Sequence, residues 1–244
     1  MLLKAITFNM CHGEGLDGKI DVRRQAMFIK KYKPDIVFLQ EIDMYTKRAY
    51  NKSQIYTFSK YTELPYRSMG TNIKYKNGYY GDGILSKFPL EFSCNYLSPT
   101  TSPDHEQRGF LCNKISFGSV KLNLFSVHLS VFEEERILSS KTLLRITSHI
   151  NRNERIIITG DFNVGINKIG NHEYIFQEKE TYEEYEILKK KFNKLDNSES
   201  TWFSNTGTGC IDTCFYSNNL KVKKFETIPT DVSDHYPIYI EFDV

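Results

Sequence analysis

Side chains that can do acid–base or metal chemistry stand where apolar strands of this sequence end. The apolar and β-branched run over residues 156–159 ends at Gly160, which is typical of a strand buried on both faces. Asp161 and Asn163 lie just beyond this glycine, where the chain can bend tightly. An acid and an amide so close together are costly to bury unless a site pairs them. An ordinary turn is the alternative, because Asp and Asn are common turn residues.

A second group of such side chains, Asp234 and His235, precedes the last predicted strand. Asp234 can bind a hard cation, while the neutral imidazole of His235 can accept a proton from water. A polar turn before an edge strand is the alternative for this pair.

One further acid, Asp212, lies inside the otherwise apolar strand predicted over residues 211–216. A lone buried carboxylate needs a partner, and an imidazole N–H is the natural one. If His235 supplies that N–H, Asp212 fixes the tautomer of the histidine and raises its basicity.

The elements that must position these residues alternate between strands and helices. We predict strands over residues 2–9, 36–39, 79–85, 211–216 and 236–242, a hairpin of 108–117 with 120–128, and helices over 22–32, 133–150 and 173–195. Asp21 is the predicted N-cap of the first helix. Residues 45–78 are polar and rich in Tyr, Lys and Asn, and they are expected to form a surface segment whose structure is of low predictability.

Strand ends therefore carry most of the reactive side chains: Asn9, Glu41, His128, Asp161 and His235. Strand ends that meet at one edge of packed sheets make a site from residues distant in sequence. The pattern predicts a single α/β (α+β) domain over residues 1–244. Its expected architecture is a four-layer α/β/β/α sandwich of two packed mixed β-sheets with outer helices.

Composition narrows the classes of function. The 244 residues are 40% hydrophobic and 25% charged, which argues against disorder. A net charge of +2 gives no strong basic field, yet a phosphodiester can still be held locally. The five cysteines lack a zinc-binding spacing and are expected to be reduced. With no basic, apolar leader and no run of roughly 20 apolar residues, we expect a cytoplasmic protein unless a leader was removed.

Five motifs, in this order, resemble those of the endonuclease/exonuclease/phosphatase superfamily, the deoxyribonuclease I-like metal-dependent phosphoesterases. The motifs are Asn9, Gln40-Glu41, Gly160-Asp161-Phe162-Asn163, Ile211-Asp212 and Ser233-Asp234-His235. Members of the superfamily include pancreatic-type deoxyribonucleases, AP endonucleases, inositol polyphosphate phosphatases and neutral sphingomyelinases. The resemblance extends from the first strand to the last, and five motifs in the family's order are far more specific than any one of them.

The resemblance implies a metal site and a phosphate site. Glu41 matches the family's principal metal ligand, with Asn9 and Asp234 as further ligands. A site made of oxygen donors suits Mg²⁺, for which Mn²⁺ can substitute. Asp161 matches the acid that orients or activates the nucleophile or assists the leaving group, and Asn163 matches the amide that binds a non-bridging phosphate oxygen.

The two histidines have family counterparts as well. His235 matches the general base or, in another account of the family, an imidazolium that contacts phosphate, and Asp212 matches its partner. His128 falls where deoxyribonuclease-like and sphingomyelinase-like members carry a second histidine, which contacts phosphate or protonates the leaving oxygen. An ordinary strand-end histidine with satisfied hydrogen bonds is the alternative for His128.

Three more positions resemble supporting residues of the family. Tyr80 and Asp82 resemble a Tyr-x-Glu element whose acid supports the second histidine, but Asp82 is shorter than Glu and is alternatively a turn residue. Arg108 resembles an arginine directed at the phosphate, a role that suits the guanidinium fork. A surface ion pair with Glu106 is the alternative for Arg108.

We therefore expect a Mg²⁺-dependent phosphoesterase that hydrolyses a phosphodiester by metal-assisted attack of water. The substrate is nucleic acid or a small-molecule or lipid diester, and the sequence does not choose between them. The alternatives are a sugar- or inositol-phosphate monoesterase, and a non-catalytic binding protein on the same scaffold. We expect the protein to be a monomer.

Overall fold

Two six-stranded sheets packed face to face form the centre of the protein. The computed structural model describes residues 1–168, 173–204 and 207–244. The strands in these ranges are β1 (Leu2–Asn9), β2 (Ile36–Met44), β3 (Tyr66–Tyr75), β4 (Gly78–Ser86), β5 (Phe92–Leu97), β6 (Gly109–Phe117), β7 (Val120–His128), β8 (Arg155–Asp161), β9 (Ile166–Lys168), β10 (Tyr174–Phe176), β11 (Phe192–Lys194), β12 (Trp202–Ser204), β13 (Gly207–Gly209), β14 (Asp212–Ser217), β15 (Lys221–Thr227) and β16 (Ile238–Asp243). The helices are α1 (Val22–Lys30), α2 (Gln54–Thr62), α3 (Glu133–Ser148) and α4 (Glu183–Lys189), with a short 3-10 helix at Cys11–Gly13.

Both sheets are mixed. The first has the strand order β15-β16-β1-β2-β4-β3, and the second has the order β11-β14-β8-β7-β6-β5. Strands β1 and β2 are parallel, as are β7 and β8, whereas the other neighbouring pairs are antiparallel. Each sheet thus has one parallel pair at its centre.

Alternating side chains of the central strands divide the core into layers. On β1, Leu3 and Ala5 face the second sheet, while Ile6 and Phe8 pack under α1 and α2. Helices α3 and α4 cover the far face of the second sheet, where Leu143 and other apolar side chains are buried. The layers are therefore α/β/β/α, and the predicted sandwich is confirmed.

Helix α1 forms as predicted. The Asp21 side chain accepts a hydrogen bond from the backbone N–H of Arg24 at 2.9 Å, which satisfies one of the free donors of the first turn. Its apolar face, with Ala26 and Ile29, is fully buried against the first sheet.

One predicted helix was wrong, and one segment without a predicted element contains two. Residues 173–195 do not form one helix: α4 covers only Glu183–Lys189, because β11 pairs with the edge of β14 and β10 pairs with β9. The segment 45–78 contains helix α2 and the edge strand β3, which the sequence did not indicate. Strand β3 is half-exposed along most of its length, so it shows no apolar alternation. Tertiary pairing decides both segments.

Among the described residues, no helix is both long enough and apolar enough to span a bilayer.

Candidate active site

The carboxyl ends of the two parallel strand pairs meet at one edge of the sandwich. In the first sheet Asn9 is in register with Gln40, next to Glu41. In the second sheet His128 is in register with Asp161. Because parallel strands place their carboxyl ends at the same edge, four strands bring these residues together.

A cavity of about 350 Å³ opens at this edge. Seven of the predicted site residues line it, together with Tyr80: Glu41, Arg108, His128, Asp161, Asn163, Asp234 and His235. The other predicted residues, Asn9, Asp82 and Asp212, are fully or almost fully buried behind it. All eleven predicted side chains therefore lie in or directly behind one cavity.

The turn after β8 explains how Asp161 and Asn163 reach the cavity. Gly160 has φ 147°, and a Cβ there would lie 2.0 Å from the carbonyl oxygen of Val127, so only glycine fits. The Oδ1 atom of Asp161 accepts a hydrogen bond from the backbone N–H of Asn163 at 2.9 Å. Asn163 itself has φ 49°, and its Nδ2 donates to the carbonyl of Leu129 at 3.0 Å. Both side chains are thus fixed in place.

Asn9 holds two of the carboxylates together. Its Nδ2 donates to Oε1 of Glu41 at 3.1 Å and to Oδ2 of Asp161 at 3.0 Å. Glu41 has φ 58°, which is unfavourable for a residue other than glycine. Strained backbone of this kind is characteristic of functional sites.

The electrostatics of the acids fit a divalent cation. Burial opposes ionisation of Glu41, but the neighbouring His128 and Arg108 and hydrogen bonds from Asn9 and Tyr80 lower its pKa to about 2. Burial and the neighbouring acids raise the pKa of Asp161 to about 7, and burial also raises the pKa of Asp234. A cation would relieve the repulsion that these buried acids experience. Oxygen donors predominate, which suits a hard ion.

Three groups of residues could hold a metal ion in the described part of the chain, and each lies at this edge. They are Glu41 with His128 and Asp161; Cys11 with His12 and Glu41; and Asp161 with Asp212 and His235. The ligand atoms within each group lie within 4.8 Å of one another. Glu41 and Asp161 each belong to two of the groups, and of the two only Glu41 has a lowered pKa, which favours it as a ligand of a cation.

The buried pair of Asp212 and His235 forms as predicted from the lone acid of β14. Nδ1 of His235 lies 2.8 Å from Oδ2 of Asp212, and Nε2 lies 3.8 Å from Oδ2 of Asp161. Burial disfavours the charged ring, but the charge and hydrogen bond of Asp212 raise the pKa of His235 to about 10. His235 is therefore an imidazolium near neutral pH.

The pKa of His128 is shifted in the opposite direction from that of His235. Burial and the positive charge of Arg108 hold its pKa well below the usual value. Its Nε2 lies 3.4 Å from Oδ2 of Asp161, and Nη1 of Arg108 lies 2.9 Å from its ring nitrogens. The same Nη1 lies 2.9 Å from Oε1 of Glu106. Arg108 thus forms the ion pair with Glu106 that the sequence offered as an alternative, and it also contacts His128.

Asp82 is neither a turn residue nor the partner of His128. It is fully buried in the middle of β4, where its Oδ2 accepts a hydrogen bond from Nδ2 of Asn72 at 2.9 Å. Its other oxygen has no hydrogen-bond partner among the described residues. Burial raises its pKa to about 8. Tyr80, two residues earlier, contacts Glu41 instead.

Sequence reasoning missed the apolar wall of the cavity, which consists of Val131, Ile166, Tyr174 and Trp202. Trp202 is the single tryptophan of the chain and forms a β-bridge with His235. The backbone N–H of Phe203 donates to the carbonyl of Asp234 at 3.0 Å, so this segment also supports the Asp234–His235 turn. The one available signal was the rarity of tryptophan, since large aromatic residues are common in binding sites.

Solved structures of low sequence identity share the fold. An endonuclease/exonuclease/phosphatase from Bacteroides vulgatus superposes with a TM-score of 0.75 at 18% identity, over 100% of this chain and 99% of that one. TDP2 from D. rerio, complexed with a single-strand DNA product, gives 0.71 at 19% identity over 100% and 99% of the two chains. A mannosyl-6-phosphatase from Bacteroides thetaiotaomicron gives 0.71 at 16% identity over 99% and 100%.

Comparison with family models settles the family. No curated protein sequence matches the chain significantly. The model of the Endonuclease/Exonuclease/phosphatase family matches residues 6–235, which is nearly the whole chain and includes every predicted site residue. Members of this family are hydrolases of phosphate esters and generally use a divalent metal. The chain belongs to the endonuclease/exonuclease/phosphatase family.

Proposed function

We propose that the protein is a Mg²⁺-dependent phosphodiesterase. The observation that carries the proposal is the placement of two buried histidines beside one acid. His128 and His235 lie 3.4 and 3.8 Å from Oδ2 of Asp161, and they line the same cavity. Hydrolysis of a diester requires both a nucleophile-activating group and stabilisation of a dianionic transition state, and this arrangement supplies both.

The residues that would hold the cation are Glu41, Asn9 and Asp234. When bound, the ion would neutralise charge that develops on the phosphate as water attacks. The pKa of Glu41, lowered to about 2, keeps this ligand ionised over the whole physiological pH range. Mn²⁺ can replace Mg²⁺ in such a set of oxygen donors.

Three side chains would bind the phosphate group. The amide of Asn163 and the guanidinium of Arg108 donate to non-bridging oxygens, a role that the planar fork of arginine performs well. His235, held as an imidazolium by Asp212, donates a further hydrogen bond. These hydrogen-bond donors, two of them positively charged, favour the transition state because its charge exceeds that of the bound diester.

Asp161 would accept the proton of the attacking water. Burial and the charge of Asp212 raise its pKa to about 7, so it is close to the ideal value for a general base near neutral pH. Its Oδ2 already accepts a hydrogen bond from Asn9, which fixes the direction of the carboxylate. Neutral His128, on the other side of Asp161, orients the substrate together with Arg108.

A phosphate monoesterase is the second candidate. The mannosyl-6-phosphatase and TDP2 superpose on this chain equally well, so the fold is compatible with both classes of substrate. The second histidine favours a diester, because His128 matches the second histidine of the deoxyribonuclease-like and sphingomyelinase-like members of the family.

Hydrolysis assays separate these candidates. Wild-type protein, His235→Ala and the exposed control His149→Ala are assayed on bis-p-nitrophenyl phosphate, supercoiled plasmid and p-nitrophenyl phosphate, with Mg²⁺, Mn²⁺ or EDTA. We expect metal-dependent cleavage of the diesters by wild type and by His149→Ala, and loss of cleavage in His235→Ala. Cleavage of the monoester alone would establish the second candidate, and inactivity on all three substrates would contradict both.

A further inference from the structure

A groove of about 890 Å³ lies between α1 and α2, outside the cavity described above. It is formed largely by the segment after β2 that has no motif of the family. We call it the α1–α2 groove. Its polar and aromatic lining includes Arg23, Lys52, Lys60, Arg67, Tyr50 and Tyr56.

The α1–α2 groove is locally cationic. Its four basic residues are accompanied by one acid among the described lining residues, Asp21, whose carboxylate caps α1. The nearby cations Arg24 and Lys30 form ion pairs with carboxylates, whereas the four groove cations form none within the described ranges. The groove therefore has three more cations than acids among its described lining residues, although the whole chain carries a net charge of only +2. Such a surface attracts a polyanion.

Three tyrosines that line the same groove have largely exposed side chains. Tyr45, Tyr50 and Tyr56 are 53%, 71% and 56% exposed. Tyr45 and Tyr50 have φ 62° and 54°, a backbone conformation that bulky residues adopt only when the surrounding structure imposes it. The exposed rings of Tyr45 and Tyr50 therefore lie on backbone whose conformation the surrounding structure imposes.

Hydrogen bonds and a cation–π contact hold the loop that carries Tyr45 and Tyr50. Asp43 is fully buried and accepts hydrogen bonds from Thr46 Oγ1 at 2.8 Å and from Arg48 Nε at 2.6 Å. The guanidinium of Arg48 also lies 4.6 Å from the ring centre of Tyr75. A pre-ordered loop loses little conformational entropy when a ligand binds.

Cations and rings alternate within the groove. The guanidinium carbon of Arg67 lies 4.9 Å from the ring centre of Tyr56, and that of Arg23 lies 5.2 Å from that of Tyr61. Flat cationic and aromatic faces, set among unpaired positive charges, are the combination with which proteins bind unpaired bases and their phosphates.

The groove is connected to the cavity by one side chain. Gln54 lines the groove, donates to the carbonyl of His12 at 2.6 Å and accepts from the backbone N–H of Asp43 at 2.8 Å. Asp43 lies two residues after Glu41 on β2, a separation of roughly 7 Å along a strand. Gln54 therefore links the lining of the groove to β2, the strand that carries Glu41.

We propose that the α1–α2 groove binds a single-stranded segment of nucleic acid of which another part enters the cavity. This inference rests on the phosphodiesterase function proposed above and narrows it to a nuclease. A single strand fits because stacking on tyrosine requires bases that are free of a partner strand.

Fluorescence anisotropy tests the inference directly. A fluorescein-labelled, mixed-sequence single-stranded oligodeoxynucleotide is titrated in EDTA with wild type, Tyr56→Ala, Lys60→Gln/Arg67→Gln, and the control Lys141→Gln/Arg152→Gln on the opposite face. We expect Tyr56→Ala to weaken binding by about tenfold or more. The groove double variant should reduce the slope of log K against log salt by about 1.4, or ~0.7 for each lost phosphate contact. The control should keep the wild-type affinity and slope to within experimental error.

The two proposals fail in different ways. The groove variants should hydrolyse bis-p-nitrophenyl phosphate at the wild-type rate, because this diester is too small to reach the groove. If wild type binds the oligonucleotide through the groove but cleaves no diester, the proposed function fails and the groove assignment stands. Equal binding by the groove variants and wild type, or binding of phosphatidylserine vesicles through this surface without oligonucleotide binding, would overturn the assignment.

Discussion

The carboxylate of Asp212 lies 2.8 Å from Nδ1 of His235, and both side chains are almost fully buried. Burial works against the charged ring, but Asp212 raises the pKa of His235 to about 10. We predict that Asp212→Asn lowers this pKa and slows phosphodiester hydrolysis on the order of 10²–10⁴-fold, because the imidazolium is lost. The pKa is measured by NMR titration of the His235 ring, and the rate is measured as a function of pH.

Asp196→Asn is the control for this experiment, since it makes the same change of side chain at an exposed acid. It should leave both the pKa of His235 and the rate unchanged. An unchanged rate in Asp212→Asn, together with a lowered pKa, would show that catalysis does not depend on the charge of His235.

Removal of the central cation ligand should abolish metal-dependent stabilisation. A ligand present at a hundredfold excess over its Kd stabilises the folded state by about 2.7 kcal/mol, which is roughly 5–10 °C in Tm for a protein of this size. We predict such a shift for wild type when Mg²⁺ or Mn²⁺ replaces EDTA, and no shift for Glu41→Gln. Differential scanning calorimetry measures the Tm of both proteins.

The exposed Glu134→Gln variant is the control and should retain the full shift in Tm. A full shift in Glu41→Gln would show that the cation binds elsewhere.

The position of the site was predictable because strand geometry decides it. Asn9, His128 and Asp161 each end a strand, and Glu41 follows Gln40, the last residue of β2 that pairs with β1. The parallel pairing of β1 with β2 and of β7 with β8 brings these residues to one edge. Asp212 was predictable as well, since a lone acid in an apolar strand needs a buried partner.

The remainder of the site depends on pairings that leave no sequence pattern. Asn72 lies at a register shift between β3 and β4, and its side chain binds Asp82, which the sequence paired with His128 instead. Trp202 belongs to a three-residue strand, too short for any periodicity. The α1–α2 groove was not predicted because α2, one of its two helices, was not predicted. Tyr, Ser and Thr, which make up much of α2, are weak helix formers.

A buried ion pair joins the two helices of the outer layer. Nε of Arg136 on α3 lies 2.7 Å from Oε1 of Glu184 on α4, and the side chains are 2% and 0% exposed. We predict that Arg136→Met lowers the free energy of unfolding by about 3–5 kcal/mol, because Glu184 is left buried without its counter-ion. Urea denaturation followed by circular dichroism measures this loss.

The exposed pair Lys189–Glu186 on α4 is the matched control. Lys189→Met should cost less than about 1 kcal/mol, since solvent screens the pair. The double variant Arg136→Met/Glu184→Leu should recover most of the stability lost in Arg136→Met. A double variant as unstable as Arg136→Met would show that packing, and not the unpaired charge, causes the loss.

Buried Asp82 should make the stability of the fold dependent on pH. Its pKa is raised from an ordinary value of 3.8 to about 8 by burial. Between these values the unfolded chain releases the proton of Asp82 while the folded protein retains it, so this group destabilises the fold progressively as pH rises. Asp82→Asn has the same shape and does not titrate. We predict that Asp82→Asn unfolds at a higher urea concentration than wild type, and that the difference between the two midpoints is small near pH 4, grows with pH and becomes constant above about pH 8. Both midpoints are measured in EDTA. A margin that is independent of pH would mean that Asp82 is ionised in the folded protein.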